Sequence, residues 1–144
     1  MIGAGDVPWL AQQTAVARAF CPGETVTFGE TEIEFFAAAG HTLGCGMYLT
    51  TVGQDRACFM GDSCGPFIFE AVRWAGDAEA FRASAERMRA VEADLFLPGH
   101  PDQILEVSPE GDPRLSREQW HRYIDQRLEA LERIISGAGA VSEN

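Results

Sequence analysis

Three short apolar runs each end at a glycine-rich exit that carries a metal-ligating side chain, and this constrains the chain more than any other feature. The first exit is Ala39-Gly40-His41-Thr42-Leu43-Gly44. The second is Phe59-Met60-Gly61-Asp62-Ser63, and the third is Leu95-Phe96-Leu97-Pro98-Gly99-His100-Pro101. Strand ends that offer imidazole, carboxylate and imidazole in turn are what a sheet edge needs to present ligands to a divalent metal. Imidazole and carboxylate suit zinc or iron, and glycine turns the backbone without shielding the ligand.

Each residue also has an ordinary structural reading. His41 could be a strand-end histidine bonded to a carbonyl, and His100 a turn residue after Pro98-Gly99. Asp62 could close an Asx-turn or cap a helix at its strand exit. Thr42 and Gly44 more naturally shape a turn than touch substrate. His121 neighbours the apolar stripe of the last helix and reads as a solvated surface histidine.

In this order the three segments resemble the G-H-T-x-G, G-D-S and P-G-H motifs of the metallo-β-lactamase-fold hydrolases, over about Pro22 to Pro101. That family's first motif, H-x-H-x-D-H, has no counterpart, since the only histidines are His41, His100 and His121. The resemblance implies an α+β fold: the C-terminal half of an αββα sandwich, with a mostly antiparallel sheet and helices on one face. It implies His41, Asp62 and His100 as metal ligands, with Asp62 also catalytic as the residue that bridges two ions. The implied cofactor is zinc, two per complete site, with iron or manganese as alternatives.

Two metals roughly 3.5–4 Å apart lower the pKa of a shared water, whose hydroxide attacks an ester, thioester, lactone or β-lactam carbonyl. No protein nucleophile is then required, in keeping with the absence of a G-x-S-x-G elbow. Ser63 is the fallback at the Asp62 position, where one subclass carries a serine that orders water. The chain alone is expected to hold an incomplete site. The rival reading is a non-catalytic remnant, or an accessory chain that binds a partner through an exposed sheet face. A third is a purely hydrogen-bonded cluster of the same residues.

Composition narrows the partners. With 11 basic against 22 acidic residues the net charge is −11, which disfavours nucleic acid, because phosphate binding needs clustered cations. No stretch could span a bilayer and no signal peptide is visible, and the expected location is the cytoplasm. The resemblance implies a small acyl substrate, a reading that the aromatic and apolar content of 64–76 supports over a phosphodiester. Cys21, Cys45, Cys58 and Cys64 show no C-x-x-C pairing and read as reduced thiols.

Periodicity gives the element order. Pro8 to Phe20 reads as a helix, ended by Cys21-Pro22-Gly23. Thr25–Phe28 and Thr31–Ala37 read as a hairpin around Gly29-Glu30, and Met47–Val52 and Arg56–Met60 as a second around Gly53-Gln54-Asp55. Asp77 can cap a helix to about Glu92 with Phe81, Ala85, Met88 and Val91 inward. Leu95–Leu97 reads as a buried strand and 102–114 as a loop. Ser116 with Gln119 has the form of a capping box for a last helix. That helix buries Trp120, Tyr123, Ile124, Leu128, Leu131 and Ile135, and stops at Gly137. The tail 138–144 is expected to fray.

One partial domain, 1–144, is therefore expected. A lone half would leave an inner sheet face, including some of Phe28, Phe35, Met47, Leu49 and Phe59, in need of cover. A complementing N-terminal half or self-association would supply it. The 102–114 loop and 64–76, with Phe67, Ile68, Phe69 and Trp74, are the expected substrate-facing pieces.

Overall fold

Alternation of apolar and polar residues builds the sheet, and strand pairing decides which ends meet. A computed structural model describes residues 2–10, 18–39, 41–63 and 78–136. Five strands, β3 (Thr25–Phe28), β4 (Thr31–Ala37), β5 (Gly46–Val52), β6 (Asp55–Gly61) and β7 (Leu95–Pro98), lie side by side in that order. The first three pairings are antiparallel and β6–β7 is parallel. A two-stranded parallel pair, β1 (Ile2–Gly3) with β2 (Ala19–Phe20), stands apart from this sheet. The architecture is the α+β arrangement expected from the sequence, a mostly antiparallel sheet with helices.

Register sorts the side chains onto two faces. Phe36 pairs with Met47, and Leu49 with Cys58 and then Phe96. These residues pack with Met60 against helices α2 (Ala78–Arg89) and α3 (Arg117–Ile135) in one core with Phe81, Ala85, Met88, Trp120, Tyr123, Ile124 and Leu131. On the opposite face Phe35 pairs with Tyr48, Tyr48 with Phe59, and Phe59 with Leu97.

The expectation that some of Phe28, Phe35, Met47, Leu49 and Phe59 lack cover narrows to two of them. Met47 and Leu49 point at the helices and are 1% and 5% exposed. Phe35 is covered by Phe20, whose ring stacks on it at 5.5 Å and meets Tyr48 edge-on at 6.0 Å. Phe59 and Phe28 do stay open, at 41% and 81% exposure.

Other corrections have local causes. The helix expected over Pro8 to Phe20 is α1 (Val7–Leu10) among the described residues, with 11–17 outside them. Its expected end is strand instead, because Phe20 pairs beside Gly3 and supplies the aromatic lid on Phe35. Helix α2 stops at Arg89, short of Glu92. There the Ala90 and Val91 N–H groups bond three residues back, to Arg87 and Met88 carbonyls, and α3 engages the freed end. Trp120 Nε1 donates to the Met88 carbonyl at 2.7 Å, and His121 Nε2 lies 3.0 Å from the Arg89 carbonyl. His121 is thus a half-buried bridge between helices, contrary to the solvated reading.

Asp77 and the 138–144 tail fall outside the described residues. Within the expected loop, Pro101–Ile104 is a 3-10 turn started by proline, whose missing N–H costs nothing at a first turn. The capping box at Ser116 is present in full: its hydroxyl accepts from the Gln119 N–H, and the Gln119 side chain accepts from the Ser116 N–H. Ile135 is the exception on the α3 stripe, 47% exposed at the final turn.

Candidate functional site

Strand direction gathers the three motif exits at one edge. β7 runs parallel to β6, so Asp62 and His100 leave adjacent strands side by side. β5 runs antiparallel to β6, so the loop that carries His41 enters β5 beside the end of β6. A β-bulge sharpens the second exit: Phe59 pairs with Leu97 and Gly61 with Pro98, leaving Met60 as the extra residue. Bulges re-aim side chains at sheet rims, and here Gly61 follows with φ 53, a left-handed conformation that glycine takes without penalty.

Two of the three expected ligands meet directly. His100 Nε2 is 3.2 Å from Asp62 Oδ1, with both side chains partly open to solvent. The Gly99 N–H donates to the Gly61 carbonyl at 3.1 Å and locks the two exits together. Asp62 Oδ1 also faces Gln103 Nε2 at 3.4 Å. Gln103 is 1% exposed and its Oε1 finds no partner among the described residues. Ser63 is buried; its N–H closes the turn on the Met60 carbonyl at 3.3 Å, and its hydroxyl faces Cys45 Sγ at 3.6 Å.

His41 sits on a separate, tightly tied loop. The Ala38 N–H donates to the Cys45 carbonyl at 3.0 Å, and the Cys45 N–H to the Thr42 carbonyl at 3.3 Å. The Asp6 carboxylate accepts from Thr42 Oγ1 at 2.7 Å and from the Gly44 N–H at 2.9 Å. Burial pushes the Cys45 thiol up, opposed by its hydrogen bond to Ser63.

The donor set fits a metal only in part. Zinc sites need three or four protein donors around one point, and Asp62 with His100 supplies two. Among the described residues no group of three His, Cys, Asp or Glu side chains converges on one position, so His41 does not complete a trio. The described residues therefore bring two potential donors together, Asp62 and His100, and do not by themselves make up a metal site.

Asp6 and Gln103 carried no sequence signal. Asp6 acts across 36 and 38 residues, and Gln103 lies in a segment whose composition reads as loop. Of the expected substrate-facing pieces, 64–76 lies outside the described residues. No helix among the described residues is long and apolar enough to cross a membrane.

Neither protein-family models nor curated protein sequences give a match. Solved structures do. The class B3 di-zinc metallo-β-lactamase LRA-12 from an Alaskan soil metagenome superposes with TM-score 0.72 at 17% identity, covering 92% of this chain and 62% of that one. BJP-1, a subclass B3 metallo-β-lactamase of Bradyrhizobium japonicum, gives 0.68 at 21% identity, with 88% and 53% covered. A Cronobacter sakazakii metallo-β-lactamase mutant gives 0.73 at 14% identity, with 98% and 64% covered. The chain spans under two thirds of each of these enzymes. At such identities the likeness is one of fold, and the chain has the fold of the C-terminal portion of a metallo-β-lactamase.

Proposed function

We propose that this chain is a portion of a metal-dependent hydrolase, in which Asp62, His100 and His41 are donors to a zinc site whose remaining ligands come from outside the described residues. The observation that carries the reading is the Asp62–His100 pair, a carboxylate and an imidazole held 3.2 Å apart at the exits of adjacent parallel strands. Asp62 is the residue assigned the catalytic role. Iron or manganese would suit the same donors. Bound zinc would supply Lewis acidity. This chain's part is to hold the carboxylate and imidazole at a fixed spacing, with Gln103 and the Gly99–Gly61 hydrogen bond restraining them. The substrate class proposed is a small ester, thioester, lactone or β-lactam, met in the cytoplasm, with neither nucleic acid nor membrane as partner.

Equilibrium dialysis against zinc, followed by elemental analysis, tests this on wild type, Asp62→Asn and a His41→Ala/His100→Ala double variant. Zinc retained by wild type and lost in both variants is the expected result. Equal retention in all three would remove the metal reading.

A second reading, an accessory chain that binds through its open sheet face, draws on Phe59 at 41% exposure on that face and on the absence of a three-donor cluster among the described residues. Self-association, or binding of a complementing N-terminal half, with no zinc uptake would favour it.

A further inference from the structure

We infer that Asp6 is the positioning residue of the His41 loop, its carboxylate bridging Thr42 and Gly44 so that the histidine between the sheet edge and that bridge is held in one backbone conformation. The inference rests on the reading of His41 as a site residue.

Both carboxylate oxygens are committed to this loop: Oδ2 to the Thr42 hydroxyl at 2.7 Å and Oδ1 to the Gly44 N–H at 2.9 Å. Hydrogen bonds to a charged acceptor are stronger than neutral ones, and Asp6 is partly shielded from water. Glycine at 44 completes the fit. A Cβ there would lie 2.5 Å from both Asp6 Cγ and the Asp6 nitrogen, so the acid occupies the space a side chain would need.

The neighbours of Asp6 are shaped to the same end. A Cβ on Gly3 would strike the Gly44 carbonyl, and one on Gly5 would come within 2.7 Å of the Leu43 carbonyl carbon. Residues 3–6 therefore form a saddle, backbone against backbone, under the 42–44 segment. Among the described residues of the 38–45 loop, two backbone hydrogen bonds tie its base and its final turn, Ala38 to Cys45 and Cys45 to Thr42. Asp6 tethers the stretch beside His41 to the rest of the protein. Its side chain is spent on no local turn or cap in the bonds described.

The test uses the metal-free full chain and three variants: Asp6→Ala, Asp6→Asn and Thr42→Val. Asparagine keeps an oxygen for the Gly44 N–H and an amide that can donate to the threonine hydroxyl, so it should rescue much of what alanine loses. In Asp6→Ala, amide exchange at Gly44 is expected to accelerate at least about tenfold while Met88 and Leu131 keep their protection, the signature of local opening. The His41 imidazole resonances should shift or broaden in Asp6→Ala and return toward wild type in Asp6→Asn. Thr42→Val should give a smaller effect of the same kind.

Uniform loss of protection through α2 and α3 would show a general stabilising role and overturn the inference. So would a His41 ring unaffected by Asp6→Ala. Because these readouts need no metal, a chain that binds no zinc would remove the metal reading and leave this result standing. An undisturbed loop in Asp6→Ala would remove this inference and leave Asp62–His100 untouched.

Discussion

Trp120 is the side chain behind the site, and replacing it by phenylalanine tests the packing account. It is 1% exposed, stacks on Phe96 at 4.4 Å and on Tyr123 at 5.7 Å, and donates from Nε1 to the Met88 carbonyl at 2.7 Å. Phe96 lies on β7, the strand that delivers His100, so the indole joins both helices to the edge that carries the candidate ligands. Trp120→Phe keeps a ring against Phe96 but removes the N–H and leaves a space of roughly 40 Å³, which at ~24 cal/mol per Å³ costs about 1 kcal/mol. The lost hydrogen bond adds about 1 kcal/mol. The Met88 carbonyl is not orphaned, because the Val91 N–H still donates to it at 3.1 Å. The expected loss is about 2 kcal/mol, or a fall of roughly 6 °C in Tm for a chain of this size. Trp120→Ala should cost about 3–5 kcal/mol. Urea unfolding followed by far-ultraviolet circular dichroism, with an unchanged m-value, gives the number. A loss below about 0.5 kcal/mol for Trp120→Phe would refute the picture of one shared core beneath β7.

Two further outcomes follow from burial and exposure. Burial pushes the Cys58 thiol from an ordinary 9.0 up to about 12, so the folded state keeps a proton that the unfolded state releases. This contribution is fully present below pH 9 and is lost as pH rises toward 12, at a limiting slope of about 1.4 kcal/mol per pH unit. Cys58→Ala should flatten the fall in stability between pH 9 and 11, and an identical slope in both proteins would contradict it. Phe28 and Phe59 are solvent-facing, so Phe28→Ser with Phe59→Ser should leave Tm almost unchanged while reducing any concentration-dependent association seen by sedimentation. A large loss of Tm would show that these rings are packed.

The sequence was most readable where the physics is local. Alternation over Thr31–Ala37, the turn at Gly53-Gln54 and the Ser116–Gln119 capping box each depend on residues within a few positions, and each sits where the pattern put it. Sheet faces were harder. Alternation separates Leu49 from Tyr48 but does not say which face meets the helices, so sequence alone leaves open which of Phe28, Phe35, Met47, Leu49 and Phe59 need cover, and Met47 and Leu49 prove to lie on the helix side. Residues 19 and 20 are strand because of partners at 2 and 3 and a ring at 35, none of which a helical period can report. At the candidate site, glycine exits single out His41, Asp62 and His100, and of these the structure brings Asp62 and His100 into contact. Whether the three converge depends on strand order and on a bulge at Met60. Asp6 and Gln103 reach the site only through tertiary contact, and no periodicity marks such residues.

The most direct measurement of the central claim is long-range ¹H–¹⁵N NMR of the histidine side chains during a zinc titration, on wild type and Asp62→Asn. The account predicts that His100 Nε2, the nitrogen facing Asp62 Oδ1, takes the metal-bound shift at one saturable site, and that Asp62→Asn weakens this by tenfold or more. His121, bonded to the Arg89 carbonyl at the helix interface, should not move. Zinc that shifts His121 as readily as His100, or binding at His100 that is indifferent to Asp62, would contradict the assignment of this sheet edge as part of a metal site.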